Sequence, residues 1–156
     1  MSFTATAEQF ALREVFTSSR GSRTHAQVVH VTVTRDGVAG QGECVPYPRY
    51  GESVESVIAQ IQSLPADIDR QALQQALPAG AARNAVDCAL WDWEAKATST
   101  PVWQLAGLEA PEPVLTAFTL SLGAPEAMHE QAARHAERPL LKVKLGGGAE
   151  DVARIE

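Results

Sequence analysis

The stretch LLKVKLGGG, residues 140–148, decides the fold class. Side chains alternate along a strand, so the odd-numbered leucines and valine share one face and the two lysines share the other. Upstream, the pattern predicts a strand over residues 114–122 and a helix over residues 125–137. A strand, a helix and a second strand in this order form the unit that builds parallel sheets. We therefore expect the beginning of a parallel sheet of the α/β kind.

The lysine pair in this stretch is a candidate catalytic site. Inside a parallel barrel the apolar face meets the outer helices, so Lys142 and Lys144 both point into the barrel. Two cations held close together repel, and this favours the neutral amine at one of them, which can then act as a base. Lys144 lies at the C-terminal end of its strand, where active sites of such barrels gather. The alternative is an ordinary strand with one solvated face.

The glycines at residues 146–148 also have two interpretations. A glycine-rich loop before a helix can hold a phosphate on its backbone N–H groups. This one matches neither the P-loop nor the dinucleotide-binding pattern, so we expect a flexible βα loop.

The N-terminal part has an α+β pattern. Three strands are predicted, over residues 10–16, 27–34 and 38–45, and Asp36-Gly37 is a turn dipeptide that suits a hairpin between the last two. Gly40 and Gly42 weaken the third strand and indicate a bulge or a close approach of another backbone.

Three helices should follow this sheet. Ser53 is an N-cap candidate for a helix with apolar residues up to Ile61, and further helices are predicted over residues 70–77 and 79–97. Residues 109–113 read as a linker, which predicts a first domain over residues 1–112 and a second over residues 113–156. Cys88 lies in the longest helix, where we expect a buried reduced thiol.

Composition excludes several classes of protein. The chain has 156 residues, 45 % of them hydrophobic, and a formal charge of −6, which argues against non-specific nucleic-acid binding. No apolar run is long enough to span a membrane, and the N-terminus lacks the pattern of a signal peptide. Its two cysteines, Cys44 and Cys88, are too few for a disulfide framework or a zinc site. A cytoplasmic protein is the expectation.

Arg20 and Arg23 lie in a predicted loop between the first two strands. A loop arginine can bind a carboxylate through two parallel hydrogen bonds, although many loop arginines are only solvated. The sequence alone leaves both interpretations open.

Several segments together resemble one family. They are RGSR at residues 20–23, GEC at 42–44, PYPRYGES at 46–53, PAGAARNAVDCALWD at 78–92 and LKVK at 141–144. This set is similar to bacterial dipeptide epimerases acting on L-Ala-D/L-Glu, in the muconate-lactonising branch of the enolase superfamily. The lysine pair is shared by several activities, whereas the two N-terminal loops are more specific to this group.

The resemblance implies a fold and a reaction. The fold is a capping domain of three antiparallel strands and a helical bundle, followed by a (β/α)₇β barrel of which this chain would hold only the first strands. The reaction is removal and return of the α-proton of the C-terminal residue of a dipeptide, through an enediolate stabilised by Mg²⁺. The substrate would be a dipeptide of the kind released when cell-wall peptide is recycled.

The resemblance also implies residue roles. Lys144 matches the family's base on one face, and Lys142 matches the neighbour that assists it. Thr119 matches a position that lines the site, Arg20 matches the arginine that binds the distal carboxylate, and Arg23 is the second choice. Tyr50, in the other capping loop, would close the pocket.

The pattern departs from the family in one respect. The family's acidic metal ligands and its second lysine base come from later barrel strands, so the resemblance assigns no metal ligand to residues 1–156. We therefore expect the isolated chain to be inactive and the activity to belong to a longer protein, which could self-associate. The alternatives are another activity of the same branch (cycloisomerase, N-acylamino-acid racemase or o-succinylbenzoate synthase) and a non-catalytic fragment or binding module.

Overall fold

The computed structural model describes residues 2–156, in which five strands and six helices follow one another. In chain order they are β1 (Ser2–Ser18), β2 (Gly21–Arg35), β3 (Val38–Cys44), α1 (Val54–Gln62), α2 (Arg70–Ala76), α3 (Ala81–Thr98), α4 (Val102–Leu105), β4 (Phe118–Leu120), α5 (Pro125–Arg134), β5 (Leu141–Val143) and α6 (Asp151–Ile155). They group into two compact units. Unit 1 contains the chain up to Phe10 and Gln27–Pro111, and unit 2 contains Ala11–Ala26 and Glu112–Glu156. The domain boundary at residue 112 stays a prediction.

The N-terminal strands form one antiparallel sheet in the order β1-β2-β3. The Asp36-Gly37 turn has φ angles of 51° and 78°, as expected for a hairpin turn with both residues in the left-handed region. β2 and β3 pair in register from Arg35 opposite Val38 to Val29 opposite Cys44. β1 is much longer than the predicted strand over residues 10–16. The prediction was too short because most residues of β1 are exposed and give no alternating apolar signal.

Helix α3 packs directly against β3 at the two strand glycines. A Cβ atom added at Gly42 would overlap the carbonyl oxygen of Ala85, and one at Gly40 would overlap that of Ala89. The predicted close approach at these glycines is confirmed. The small residues of α3 allow this contact, and the core of unit 1 lies between the helices and the face of β2 that carries Val29, Val31 and Val33, all fully buried.

Side chains of α3 also cover the open edge of β3. Asp92 Oδ2 accepts the N–H of Gln41 at 2.7 Å, and Lys96 Nζ donates to both Asp92 at 2.6 Å and the carbonyl of Ala39 at 3.2 Å. Two outward polar groups of the edge strand, the N–H of Gln41 and the carbonyl of Ala39, are therefore occupied, which opposes pairing with a strand of another molecule.

Three details of the helices bear on the sequence predictions. Ser53 caps α1, as predicted, and it also forms a reciprocal capping box with Ser56. The predicted burial of Cys88 is wrong, because its position on α3 faces outward, whereas Cys44 is buried. Among residues 2–156, no helix is long and apolar enough to cross a bilayer.

Unit 2 contains the predicted strand–helix–strand unit. β4 and β5 are parallel neighbours, with α5 between them in the chain. β4 is shorter than the predicted strand over residues 114–122, because Val114 and Leu115 are exposed and pair with nothing in the described part of the chain. An α+β sheet with helices followed by a parallel strand pair is the fold class that the sequence predicts.

Candidate functional site

The register of the parallel strands brings three predicted site residues to one face. Thr119 on β4 lies opposite Lys142 on β5, and the N–H of Lys144 donates to the carbonyl of Leu120 at 3.2 Å. Because side chains alternate, Thr119 and Lys142 share one side of this two-stranded sheet, and Lys144, which directly follows β5, continues on that side. Lys142 is exposed and Lys144 is half-buried.

The opposite face of the strand pair packs against α5. The ring of Phe118 lies 4.0 Å from the ring of His135, which ends α5, and Leu120 and Met128 are buried. The apolar face thus packs against the helix, as the alternation in the sequence predicts, and the lysines lie on the opposite face.

The hairpin that carries the two arginines is attached to the end of β4. The carbonyl of Thr17 accepts the N–H of Leu122 at 3.1 Å, and the Ser121 hydroxyl donates to the carbonyl of Val15 at 3.5 Å. These contacts place the hairpin turn at the C-terminal end of the strand that carries Thr119. Unit 2 therefore contains five of the predicted site residues: Arg20, Arg23, Thr119, Lys142 and Lys144.

The two arginines differ in their surroundings. Arg20 occupies the turn between β1 and β2, and its backbone N–H donates to the Ser18 hydroxyl at 3.3 Å. Arg23 lies over the ring of Phe16, with 5.3 Å between its Cζ and the ring centroid. A hydrogen bond of 2.8 Å between the hydroxyls of Thr17 and Ser22 joins the two strands beside this turn.

The sixth predicted residue, Tyr50, lies in unit 1. It ends a 3₁₀ turn, Pro48–Tyr50, and is 73 % exposed, with its ring edge-on to Tyr47 at 6.3 Å. The carboxylate of Glu52 fixes this loop: Oε2 accepts the N–H of Tyr47 at 3.1 Å, and Oε1 accepts the N–H of Ala81 at 2.6 Å. The exposed tyrosine therefore stands on a loop with a defined backbone.

The glycine loop after β5 is closed by Asp151. The N–H groups of Gly146 and Gly147 donate to its two carboxylate oxygens at 2.9 Å and 2.7 Å. The amides that a phosphate would need are thus already bonded, which argues against the phosphate interpretation. The hydrogen bond from Gly146 is the largest influence on the Asp151 carboxyl, and its pKa lies below the ordinary value.

Sequence reasoning did not identify Glu52, Asp151 or Arg154 as contributors to the site loops. Only Asp151 carried a signal, as an acidic residue in the first turn of a helix after a glycine run. Glu52 bonds Ala81 and Arg154 bonds Gly123, 29 and 31 residues away in sequence, and local pattern could not reveal these two contacts.

These features define a class of protein. A three-stranded antiparallel sheet backed by helices, followed by a parallel strand pair with lysines on one face, is the fold of the N-terminal capping domain and barrel start of enolase-superfamily enzymes. The chain belongs to the mandelate racemase / muconate lactonizing enzyme family, whose N-terminal domain matches residues 1–107.

The chain is also similar to individual proteins of this family. The chain is 47 % identical over 144 residues to the L-Ala-D/L-Glu epimerase of Escherichia coli K12, covering 88 % of this chain and 45 % of that protein. An enolase family member from Agrobacterium tumefaciens with homology to dipeptide epimerases, solved with sodium and L-Ala-L-Glu, superposes with a TM-score of 0.91 at 50 % identity. That match covers 98 % of this chain and 48 % of the other.

A second similar structure contains magnesium. The dipeptide epimerase of Enterococcus faecalis, solved with Mg and L-Leu-L-Tyr, has a TM-score of 0.85 at 25 % identity and matches 98 % of this chain and 48 % of its own. The chain thus spans about half the length of the relatives it matches.

The metal of such relatives finds no matching site among the residues described here. Within residues 2–156, no three side chains of the His, Cys, Asp or Glu type come together in a way that could hold a metal ion. Asp151, which closes the glycine loop after the lysine strand, is occupied by two backbone N–H groups and by Arg154. The residues present therefore do not fit a magnesium site.

Proposed function

We propose that the chain forms part of an epimerase that acts on an acidic dipeptide of the L-Ala-D/L-Glu type. The observation that supports this most is the shared face of Thr119, Lys142 and Lys144, next to the strand end where the arginine hairpin is attached. The family and the identity to the Escherichia coli enzyme favour the same activity.

In this proposal Lys144 is the base on one face of the substrate. Its neutral amine accepts the proton of the α-carbon, the C–H electron pair moves into an enediolate, and the proton later returns. Lys142, on the same face of the strand, would assist by offsetting the negative charge that develops on the substrate carboxylate. Return of a proton on the opposite face requires a second base, which we place outside residues 1–156.

Arg20 would bind the carboxylate of the acidic side chain, because it occupies the hairpin turn and its side chain is exposed. Arg23, which lies over Phe16, is the second choice. Thr119 would line the site beside Lys142, and Tyr50 would close it from the other capping loop.

The proposal includes several further properties of the intact enzyme. It would use Mg²⁺ held by carboxylates outside this chain and would be cytoplasmic and able to self-associate. It would act on small peptides from the cell wall and have no nucleic-acid or membrane partner. The capping domain would end at residue 112, with the barrel beginning at residue 113. The isolated 156-residue chain would be inactive.

The test is hydrogen exchange at the substrate α-carbon, measured by proton NMR in D₂O with the product of the complete reading frame. The glutamate residue of L-Ala-L-Glu should lose its α-proton signal, whereas L-Ala-L-Lys should exchange at least about tenfold more slowly, since the arginine recognises a side-chain carboxylate. N-acetyl-L-glutamate keeps that carboxylate but lacks the first residue of the dipeptide, and it should also exchange more slowly than L-Ala-L-Glu. Absence of exchange with every dipeptide would contradict the proposal.

Substitutions assign the role of the lysine pair. Lys144→Ala should abolish measurable epimerisation, because the proposal assigns the proton transfer on this face to Lys144 and only the offsetting of carboxylate charge to Lys142. Lys96→Ala is the matched control, since Lys96 lies on α3 in unit 1 and should leave the rate unchanged. Faster exchange of N-acetyl-L-glutamate than of L-Ala-L-Glu would favour the N-acylamino-acid racemase alternative.

A further inference from the structure

The residues that follow Lys144 are held by a cluster of charged side chains on α6. Asp151 is the first residue of that helix, yet its carboxylate turns back to the glycine loop, where Oδ1 accepts the N–H of Gly146 and Oδ2 accepts that of Gly147. A carboxylate at this position often interacts with the first N–H groups of its own helix. Here it fixes the path of the chain two and three residues after Lys144.

Arg154 connects this loop to the end of the neighbouring strand. Its side chain is only 13 % exposed, its Nη1 donates to Asp151 Oδ1 at 2.9 Å, and its Nε donates to the carbonyl of Gly123 at 2.9 Å. Gly123 follows β4, the strand that carries Thr119. The planar guanidinium can make both bonds at once, which a lysine ammonium on a flexible stem does less well.

Lys144 is therefore restrained on both sides. Its own N–H donates to the carbonyl of Leu120 at 3.2 Å. The N–H groups of Gly146 and Gly147, two and three residues later, donate to the Asp151 carboxylate. Hydrogen bonds that involve charged groups are about twice as strong as neutral ones. The loops after the two strands thus form one hydrogen-bonded unit around the strand end that carries the lysine.

We propose that Asp151 and Arg154 are positioning residues for Lys144, which hold the strand end so that its amine occupies one place relative to Thr119 on the neighbouring strand. The inference rests on the proposed function, because it assigns Lys144 the proton transfer. Neither residue touches the substrate. The lowered pKa of the Asp151 carboxyl agrees with this arrangement, since hydrogen bonds to the charged form favour it.

The kinetic test compares Asp151→Asn with Glu150→Gln in the product of the complete reading frame. Glu150 also contacts Arg154, at 2.7 Å, but is 68 % exposed and bonds neither glycine. A small misplacement of a reacting group can cost up to about 100-fold in rate, so Asp151→Asn should lower kcat at least about tenfold. KM should change less than about twofold, and Glu150→Gln should leave both values unchanged. An unchanged kcat for Asp151→Asn would overturn the proposal.

A second measurement does not depend on activity. In the 156-residue chain labelled with ¹³C and ¹⁵N, Asp151→Asn and Arg154→Lys should each shift the Lys144 side-chain signals and speed amide exchange at Gly146 and Gly147. Glu150→Gln should do neither. Unchanged Lys144 signals in both Asp151→Asn and Arg154→Lys would overturn the proposal even if the glycine amides exchange faster.

The kinetic and the NMR experiments distinguish a failure of the proposed function from a failure of the positioning proposal. If the complete protein exchanges no dipeptide, the proposed function fails, while the Lys144 signals still test the positioning. If Asp151→Asn does not fold, Arg154→Lys carries the kinetic test, because it keeps the charge and loses only the simultaneous bonds to Gly123 and Asp151. A kcat for Arg154→Lys equal to that of the unaltered protein would then overturn the proposal.

Discussion

Glu52 Oε1 accepts the backbone N–H of Ala81 at 2.6 Å, across 29 residues of sequence. Gly80, the N-cap of α3, has no side chain to bond the first N–H groups of the helix. A carboxylate from the preceding loop therefore supplies the cap, and its charge suits the positive end of the helix dipole. The same carboxylate holds the loop that carries Tyr50, so one side chain stabilises a helix and shapes a predicted substrate loop.

We expect Glu52→Gln to destabilise the 156-residue chain by about 1 kcal/mol, because the amide can no longer accept hydrogen bonds through both of its terminal atoms. Urea unfolding followed by circular dichroism measures this. Glu109→Gln removes the same charge from an exposed position in the predicted linker and should change the midpoint very little. Equal midpoints for the two variants would show that Glu52 is not a cap.

We expect Gly42→Ala to destabilise the chain by about 3 kcal/mol or more, because the new methyl group would overlap the carbonyl oxygen of Ala85 and lie 2.7 Å from the backbone nitrogen of Ala89. Neither partner is the end of a flexible side chain, so α3 itself has to move. Gly148→Ala is the control, since open space surrounds that glycine. Thermal unfolding compares them, and a Gly42→Ala midpoint within 2 °C of the control would contradict the packing described here.

The sequence predicted the elements whose residues carry their own local signal. Alternating valines predicted β2, the Asp36-Gly37 pair predicted the hairpin turn after it, and Ser53 predicted the start of α1. The lysine strand was predicted for the same reason, since apolar and charged residues alternate there. The alignment of Thr119 with Lys142 depends on strand register, so only the fold shows it.

Other features depend on contacts between distant residues, and local pattern missed them. Arg83 and Asp87 lie four residues apart on α3, but Arg83 Nη1 donates to the carbonyl of Leu77 at 3.4 Å, while Asp87 accepts from Gln74 at 3.3 Å. Cys88 lies among alanines in sequence, yet it occupies the outer face of α3. A run of small residues does not show which side of the helix each residue occupies. It also does not show which distant group bonds a charged side chain in place of its neighbour on the helix.

The two thiols should react with maleimide at very different rates. Burial raises the pKa of Cys44 to about 11, with Glu52 adding to the effect, so very little reactive thiolate is present near pH 8. Partial burial also raises the pKa of Cys88, and the charge of Asp87 is the second cause. The residue is nevertheless exposed, so maleimide can reach its thiol. Mass spectrometry of the native chain should show one adduct, on Cys88, and two after denaturation. Initial labelling of Cys44 in the native chain would contradict its burial.

Acid should release the glycine loop of unit 2. The folded-state pKa of Asp151 is lowered from 3.8, first by the hydrogen bond from Gly146, so its contribution is complete above the unfolded value and is lost as the pH falls through the lower folded value. In ¹⁵N spectra of the chain, the amide signals of Gly146 and Gly147 should therefore stay constant above about pH 5 and move together below pH 4.

In Asp151→Asn the two glycine signals should no longer move together below pH 4, since the titrating group is absent. Gly148 is an internal control, because its N–H makes no bond to this carboxylate. Signals of Gly146 and Gly147 that move at a midpoint above 3.8 would mean that the carboxylate is not stabilised by these amides. The hydrogen bond from Lys144 N–H to Leu120 would then remain as the restraint on this strand end.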